Sequence, residues 1–304
     1  MLSYYKTENG RMLQLQACEP GCWINCVSPD DREINSLISD FGIEADFFRA
    51  AMDEEESSHI DHEGENTLIV IDIPIVEKEG RNITYTTMPF GIIITEKNVI
   101  TVSIKDNPVV EEFAQGGVRG VQTNLKTRFM LSFMLRVATR FLQYLKQIDK
   151  ISNYVETELR RSMRNAELNQ LLDIEKSLVY FSSSLKGNEI TLEKIMRGRV
   201  VKLYDDDEDL LEDVLIEVKQ AIDMSNIYLN IVSGTMGASS SVISNNLNTG
   251  MKKLVSVILL VSIPLIIFCF FATRISSVLL WLPAVIAAAL DAGAFFALRK
   301  RKMI

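Results

Sequence analysis

The sequence is poor in the residues from which enzymes most often build active sites. Only two histidines occur among its 304 residues, although histidine carries much of the general acid–base chemistry at neutral pH. It also lacks a phosphate-binding glycine-rich loop, a Gly-x-Ser-x-Gly turn and a His-Glu-x-x-His helix. We therefore expect a protein that is not an enzyme.

Cysteine is scarce as well, and four residues of this type do not make a disulfide-rich secreted domain. Cys18, Cys22 and Cys26 recur every fourth residue, a spacing that would form one stripe on a helix. Pro20 and Gly21 instead indicate a turn entering a strand, in which three thiols would not converge. Reduced cytosolic cysteines are the favoured interpretation, and a metal site is the alternative.

The charge is distributed unevenly along the chain. Residues 251–304 contain seven Lys or Arg and one acid and so carry a charge of +6. Because the net charge of the whole chain is −8, the first 250 residues carry −14. A nucleic-acid-binding protein would present a basic face on its folded body. The distribution excludes that class and favours an acidic cytosolic domain beside a membrane segment with basic flanks.

Two long apolar runs near the C-terminus predict membrane spans. Leu254–Thr273 contains no charged residue, and about 20 residues at about 1.5 Å each cover the roughly 30 Å hydrocarbon core. A second run, Ile275–Leu298, contains a single acid. A buried hairpin of a soluble protein is the alternative to a pair of spans.

Basic residues flank the two runs on their outer sides. Lys252 and Lys253 precede the first run, and the tail 299–302 follows the second. The positive-inside rule therefore predicts that both termini are cytosolic. Residues 1–25 lack the apolar core of a cleavable signal peptide, and the plasma membrane is the expected location.

Prolines divide the chain into two parts of different structure. Five occur between Pro20 and Pro108, and none follows until Pro264. The early part predicts an α/β domain, with helical spacing over Asp30–Met52. Its β-rich runs are Cys22–Val27, Thr67–Val76, Ile83–Thr87, Gly91–Thr95 and Asn98–Ile104.

The proline-free part predicts long helices. Gly187-Asn188 predicts a break in the series, and the acidic run Asp205–Asp209 predicts the start of another helix, because carboxylates favour a helix N-terminus. Unbroken to Ala272, this last helix would have about 65 residues. Such a helix must pack laterally along its length to be stable.

One segment carries a family resemblance. Residues 244–252 read Ser-Asn-Asn-Leu-Asn-Thr-Gly-Met-Lys, and a proline follows in mid-span. With Gly21–Ile24 and Asp53–Glu56, this segment resembles the CorA family of divalent metal transporters over nearly the whole chain. The resemblance implies a homopentamer with first spans lining a pore, second spans outside them, and a funnel of stem helices that senses cytosolic Mg2+.

Together, the pattern and the resemblance predict an α/β cytosolic domain followed by long stem helices and two transmembrane helices. The expected divisions are 1–110 (cytosolic α/β domain), 111–204 (its helical part), 205–253 (stem helix), 254–273 (first span, lining the pore), 274–278 (extracytoplasmic loop), 279–298 (second span) and 299–304 (basic cytosolic tail).

The sequence departs from the family where the first span ends. Members carry Gly-Met-Asn there, whereas this chain has Ala272-Thr273-Arg274. A guanidinium donates hydrogen bonds but accepts none, unlike the amide it replaces. Five such arginines about 8 Å from a divalent ion would repel it by roughly 5 kcal/mol before screening. Either Arg274 points to lipid headgroups, or the protein does not take up Mg2+ in the family's usual way.

Steps of 3.6 residues from Asn248 define a stripe that is expected to face a five-fold axis. Its apolar part would gate the pore by dewetting, above a ring of Asn248 that binds water. Alternatively, Ser262 only bonds its own helix. The stripe consists of Asn248, Met251, Val255, Leu259, Ser262, Ile266 and Thr273.

Asp291 is the unusual residue of the second run. A central Asp costs roughly 2.5–3.5 kcal/mol on insertion, so it should face protein, be protonated or pair. Neighbouring Ala and Gly residues would allow a helix to approach closely. A proton-coupled role is the more speculative alternative.

The resemblance also implies regulatory Mg2+ sites that join one subunit's soluble domain to its neighbour's stem. Asp213 is the best candidate on the stem helix, and Asp209 is the next. Asp53 and Asp72 are the candidates on the soluble domain. One or two acids per site suffice, because Mg2+ keeps its waters. A solvated acidic face is the alternative.

Two functions therefore remain in view. The first is a divalent cation transporter or channel that moves Mg2+, Co2+, Ni2+ or Zn2+. The second is a non-conducting or altered-selectivity metal sensor or scaffold. His59 and His62 would suit a softer metal such as Zn2+, or are a surface pair.

Overall fold

The computed structural model describes residues 1–79, 82–162, 165–198, 201–272 and 281–300. The chain forms two compact units, Met1–Gly234 and Thr235–Ile304. The strands are β1 (Leu2–Glu8), β2 (Arg11–Leu15), β3 (Trp23–Val27), β4 (His59–Glu63), β5 (Asn66–Glu79), β6 (Asn82–Ile94) and β7 (Val99–Ser103). The helices are α1 (Asp31–Phe41), α2 (Ala45–Met52), α3 (Pro108–Ala114), α4 (Lys126–Ser162), α5 (Asn165–Met196), α6 (Asp205–Ala272) and α7 (Trp281–Lys300).

The first unit is built on a mixed seven-stranded sheet of order β2-β1-β3-β7-β6-β5-β4. Only β3 and β7 pair in parallel. The predicted runs at 22–27, 67–76 and 98–104 are strands, and the two predicted at 83–87 and 91–95 are one long strand, β6. Strands β1, β2 and β4 were not predicted, because their side chains are at most half-buried and lack a clear alternation of apolar and polar residues.

Helices α1 and α2 cover one face of this sheet. Asp30 and Glu33 form a capping box at the start of α1, and Gly42, with φ of 61°, ends it. The single helix expected over 30–52 is therefore two helices. Their core includes Ile24, Leu37, Phe47, Phe48, Val70 and Ile100.

An aromatic cluster fills the opposite face, under α3 and α4. The rings of Phe90 and Phe133 stack with centroids 4.7 Å apart, and Trp23 lies 5.3 Å from Phe129. The Trp23 indole N–H donates to the Thr101 hydroxyl over 2.8 Å, so its buried polar atom is satisfied. Helices on both faces thus bury the sheet.

Helix α5 continues through Gly187-Asn188, where a break was predicted, so that prediction was wrong. A Cβ on Gly187 would lie 3.1 Å from the Ser58 hydroxyl, which explains glycine at this close approach. Asn188 is 4 % exposed and bonds β5 with its side chain. Tertiary contacts, rather than helix termination, account for this pair.

Helix α6 begins at Asp205, as the acidic run predicted, and has 68 residues. Its buried side chains within the first unit recur with helical spacing and include Leu211, Val214 and Val218. It packs against α5, where the Ser225 hydroxyl donates to the Leu178 carbonyl over 3.0 Å. This contact supplies part of the lateral packing that so long a helix requires.

The second unit contains the remainder of α6 and α7. Ser256 is fully buried and Ala287 is 4 % exposed, whereas most described side chains around them are exposed. Among the described residues, one helix is long and apolar enough to cross a membrane, within Asp205–Ile266, and a shorter apolar helix covers Val285–Phe296.

Candidate ion pathway and regulatory acids

The stripe that was expected to line a pore lies on the apolar part of α6. Met251 and Ile266 are each 65 % exposed, and Val255 and Leu259 are each 47 % exposed. Asn248 is exposed too. The chain therefore leaves these five side chains uncovered, with one amide at the end that precedes Lys252 and Lys253.

Ser262 is the half-buried member of the stripe. Its hydroxyl donates to the carbonyls of Ile258 and Leu259 on its own helix. This is the bonding that the alternative interpretation expected. The bond uses the proton of the hydroxyl, while oxygen lone pairs stay available as acceptors.

The outer end of the stripe is described only up to Ala272, the last residue of α6. Thr273, Arg274 and the predicted loop 274–278 lie outside the described residues, as does the end of the tail, 301–304. The replacement of Gly-Met-Asn by Ala272-Thr273-Arg274 is therefore described from the sequence alone.

Asp291 lies on α7 among apolar side chains. Its Oδ1 atom is buried and has no hydrogen-bond partner among the described residues. Leaving a buried carboxylate oxygen unpaired costs free energy, so this group needs a proton or a partner.

The four candidate regulatory acids lie on three separate elements. Asp209 and Asp213 are exposed on α6, and Asp53 is exposed at the C-terminus of α2, where it accepts a hydrogen bond from the Glu55 backbone. Asp72 is half-buried on β5. No group of three or more metal-ligating side chains is assembled within the parts of the chain that the structure describes.

Burial raises the pKa of the Asp72 carboxyl, and a hydrogen bond with Ser184 partly opposes this shift. A divalent cation would have to displace these contacts to reach the carboxylate. Asp72 is therefore the least accessible of the four candidates.

The two histidines do not converge. Both lie on β4, and residues three apart on a strand point to opposite faces. His59 contacts the Ser57 carbonyl over 2.8 Å, and His62 contacts the Thr67 hydroxyl over 2.9 Å. The shared soft-metal site is excluded, and the surface pair fits the structure.

An acidic depression on the first unit was not predicted from the sequence. Three connections meet at a depression of about 460 Å3, and the carboxylates come from residues far apart in the chain. Acids beside the turn glycines Gly42 and Gly64 were the available signal. The depression is lined by Asp40, Glu44, Glu63, Glu65 and Glu96, together with Lys97.

An α/β unit, a long helix with an apolar C-terminal part and a second, shorter apolar helix fit a membrane protein with a soluble domain. The family model described as CorA-like Mg2+ transporter protein matches residues 19–271, and the chain belongs to this CorA family. The family consists of transporters and channels, which confirms the expectation that the protein is not an enzyme.

Individual relatives support the same assignment. The cobalt/magnesium transport protein CorA of Methanocaldococcus jannaschii is 25 % identical over 252 residues, which cover 80 % of this chain and 76 % of the relative. The complete structure of the CorA magnesium transporter from that organism matches with a TM-score of 0.84 at 19 % identity, covering 100 % of this chain and 99 % of that one.

A more distant structure shares the fold. The full-length CmaX protein matches with a TM-score of 0.71 at 11 % identity, covering 98 % of this chain and 97 % of that one. The fold of the CorA-like soluble domain and long helix, predicted from the sequence, is thus confirmed.

Proposed function

We propose that this chain forms a channel or transporter that moves Mg2+, or a related metal such as Co2+, Ni2+ or Zn2+, across the plasma membrane. The supporting observation is the stripe on α6, which the chain's own helices leave uncovered. An exposed row of Met251, Val255 and Leu259 beyond Asn248 suits a hydrophobic gate beside a water-binding ring.

The working form in this proposal is a homopentamer. Large apolar side chains on α5 and α6 stay exposed in the single chain, and such faces usually mark protein contacts. They include Leu172, Val179, Ile190, Ile216 and Ile227, which are 47–56 % exposed. Neighbouring copies would cover them and complete the lateral packing of the helices.

The membrane arrangement belongs to the same proposal. Residues 254–273 and 279–298 would span the bilayer, with 205–253 as the stem and both termini in the cytosol. Lys252, Lys253 and the basic residues after 298 support this orientation.

Regulation by cytosolic Mg2+ would use acids from neighbouring copies. Asp53, Asp209 and Asp213 are exposed and so available to a hydrated ion. Asp72 would take part only if its contacts with α5 opened.

The second candidate function is a non-conducting or altered-selectivity metal sensor or scaffold. It is favoured by Ala272-Thr273-Arg274, because a cationic ring would repel an incoming divalent ion.

Metal entry into proteoliposomes that contain the full chain distinguishes the two functions. Entry of any of Mg2+, Co2+, Ni2+ or Zn2+ above that of empty vesicles is expected. Arg274→Asn should increase it, because five positive charges are removed, whereas Arg197→Asn in the soluble unit is the charge-matched control. Intact pentamers that admit none of the four metals would instead contradict the transporter and support the sensor or scaffold.

A further inference from the structure

Cys18 and Cys22 flank a tight turn between β2 and β3. The Cys22 backbone N–H donates to the Glu19 carbonyl over 3.2 Å, and Gly21 has a φ of 78°. Pro20 followed by a glycine at positive φ is the combination that a type II turn requires. The turn folds the chain back and brings the two sulfur atoms to 3.7 Å.

A side chain from a different connection holds this turn in place. The Asn98 amide nitrogen lies 2.8 Å from the Glu19 carbonyl, 3.1 Å from the Cys22 carbonyl and 3.1 Å from the Cys22 sulfur. It is also 3.9 Å from the Cys18 sulfur. Asn98 is 2 % exposed and is fixed by its backbone bond to the Thr95 hydroxyl, so the thiols are positioned before any reaction.

The two thiols differ in access to solvent. Cys18 is exposed and Cys22 is fully buried. A small oxidant can therefore reach the first sulfur, and the second lies behind it at contact distance. A disulfide needs a separation of about 2.05 Å, which a rotation of the exposed Cys18 side chain toward Cys22 can supply.

We propose that Cys18 and Cys22 form a redox-active pair that closes a reversible disulfide on reaction with a low-molecular-weight disulfide such as oxidised glutathione. The Cys18 thiolate attacks one sulfur of the oxidant, which forms a mixed disulfide and releases one thiolate. The Cys22 thiolate then attacks the Cys18 sulfur and displaces the second. Two electrons pass to the oxidant, which leaves as two thiols after taking up the two protons.

The chemistry of the pair makes closure slow at neutral pH. Partial burial of the Cys18 sulfur within an otherwise exposed side chain, and next the neighbouring Cys22 sulfur, raise the pKa of the Cys18 thiol to about 12. Because the thiolate is the nucleophile, the rate should rise about tenfold for each pH unit between 7 and 9.

The test incubates the full chain in detergent with reduced and oxidised glutathione at a series of ratios, followed by acid quenching, thiol alkylation and peptide mapping by mass spectrometry. We expect Cys18 and Cys22 to lose their reactivity together and to appear in one cross-linked peptide, and dithiothreitol should restore both. Cys269→Ser, which removes a cysteine from α6, is the control and should leave the transition unchanged.

Two further measurements separate this pair from a simple reactive thiol. In Cys22→Ser, Cys18 should stop at the mixed disulfide with glutathione. Formation of this mixed disulfide should still accelerate with rising pH, because the Cys18 thiolate makes the first attack in the variant as well. The proposal is overturned if the wild-type pair stays alkylatable at every ratio, or if Cys18 couples only to glutathione or to a second chain.

Discussion

Asn188 illustrates how one side chain completes a sheet. Strand β4 begins at His59, which pairs with Val70, so β5 has no neighbour beside Asp72 on that edge. The Asn188 side-chain oxygen accepts from the Asp72 backbone N–H over 2.9 Å, and its side-chain N–H donates to the Asp72 carbonyl over 2.8 Å. The amide thus makes the two hydrogen bonds that the backbone of a neighbouring strand would otherwise make with Asp72.

Replacing Asn188 by Ala should therefore destabilise the protein strongly. Two buried backbone groups would lose their partners, at about 2–4 kcal/mol in total. The measurement is guanidinium unfolding in detergent, followed by tryptophan fluorescence. Ser58→Ala is the matched control, because it removes one hydrogen bond to Asn188 and leaves Asp72 paired. Equal losses in the two variants would contradict the role assigned to the amide.

Asp72 gives a prediction about pH. Its pKa is raised by burial in the folded protein, so folding favours the neutral acid, and the ionised form is a cost at neutral pH. Asp72→Asn should raise the unfolding midpoint at pH 7. The gain should vanish as the pH falls below about 4, where the carboxyl is neutral in folded and unfolded chains alike.

The measurement is the thermal midpoint from pH 3 to 8 for both proteins. Asp61→Asn, at an exposed position on β4, is the control for removing one negative charge. A stabilisation by Asp72→Asn that is the same at every pH would rule out the titration as its cause.

Among the helices and strands, short sequence motifs predicted the boundaries correctly where no distant contact competed with them. The acidic run located the start of α6, and the Pro-Gly pair located the turn before β3. The signals failed where distant contacts decided the outcome, as at Gly187-Asn188, whose partners lie on β5 and beside β4. The sheet order was also inaccessible, because β3 and β7 pair across more than 70 residues.

The seam between α2 and β6 gives a prediction at this scale. A Cβ on Gly91 would lie 2.5 Å from the Cβ of Ala51, closer than atoms can approach. Gly91→Ala should therefore cost about 1–3 kcal/mol by overpacking. Adding Ala51→Gly should restore the space, so that the double variant is more stable than the sum of the two single changes predicts.

Unfolding free energies of the four proteins in this cycle provide the coupling. Gly42→Ala is the control, since Gly42 has φ of 61° and open space around it. Its cost of about 1–2 kcal/mol comes from the backbone and should not respond to Ala51→Gly. Strict additivity at Gly91 and Ala51 would show that the seam relaxes without strain.

For the whole molecule, the sequence predicted a face of α6 rather than a finished site. A 3.6-residue step selects which side chains share a face, but the water that they would enclose depends on other copies of the chain. For the same reason, acids expected to act between subunits lie apart here, on α6, α2 and β5. The family assignment identifies a membrane transporter, and the pathway itself stays a prediction.

Thiol accessibility tests that pathway directly. Met251 and Leu259 on the stripe are 65 % and 47 % exposed in the single chain, and Val257, two residues from Val255 and about 200° around the helix, is 53 % exposed. The single chain therefore gives no reason for unequal reactivity.

In a background with Cys18→Ser and Cys269→Ser, Met251→Cys and Leu259→Cys should react with a small charged thiol reagent and lose metal flux. Val257→Cys should be protected, because its face meets lipid or protein in the assembly. Equal labelling of all three positions, or a monomer in detergent, would show that the stripe encloses no water.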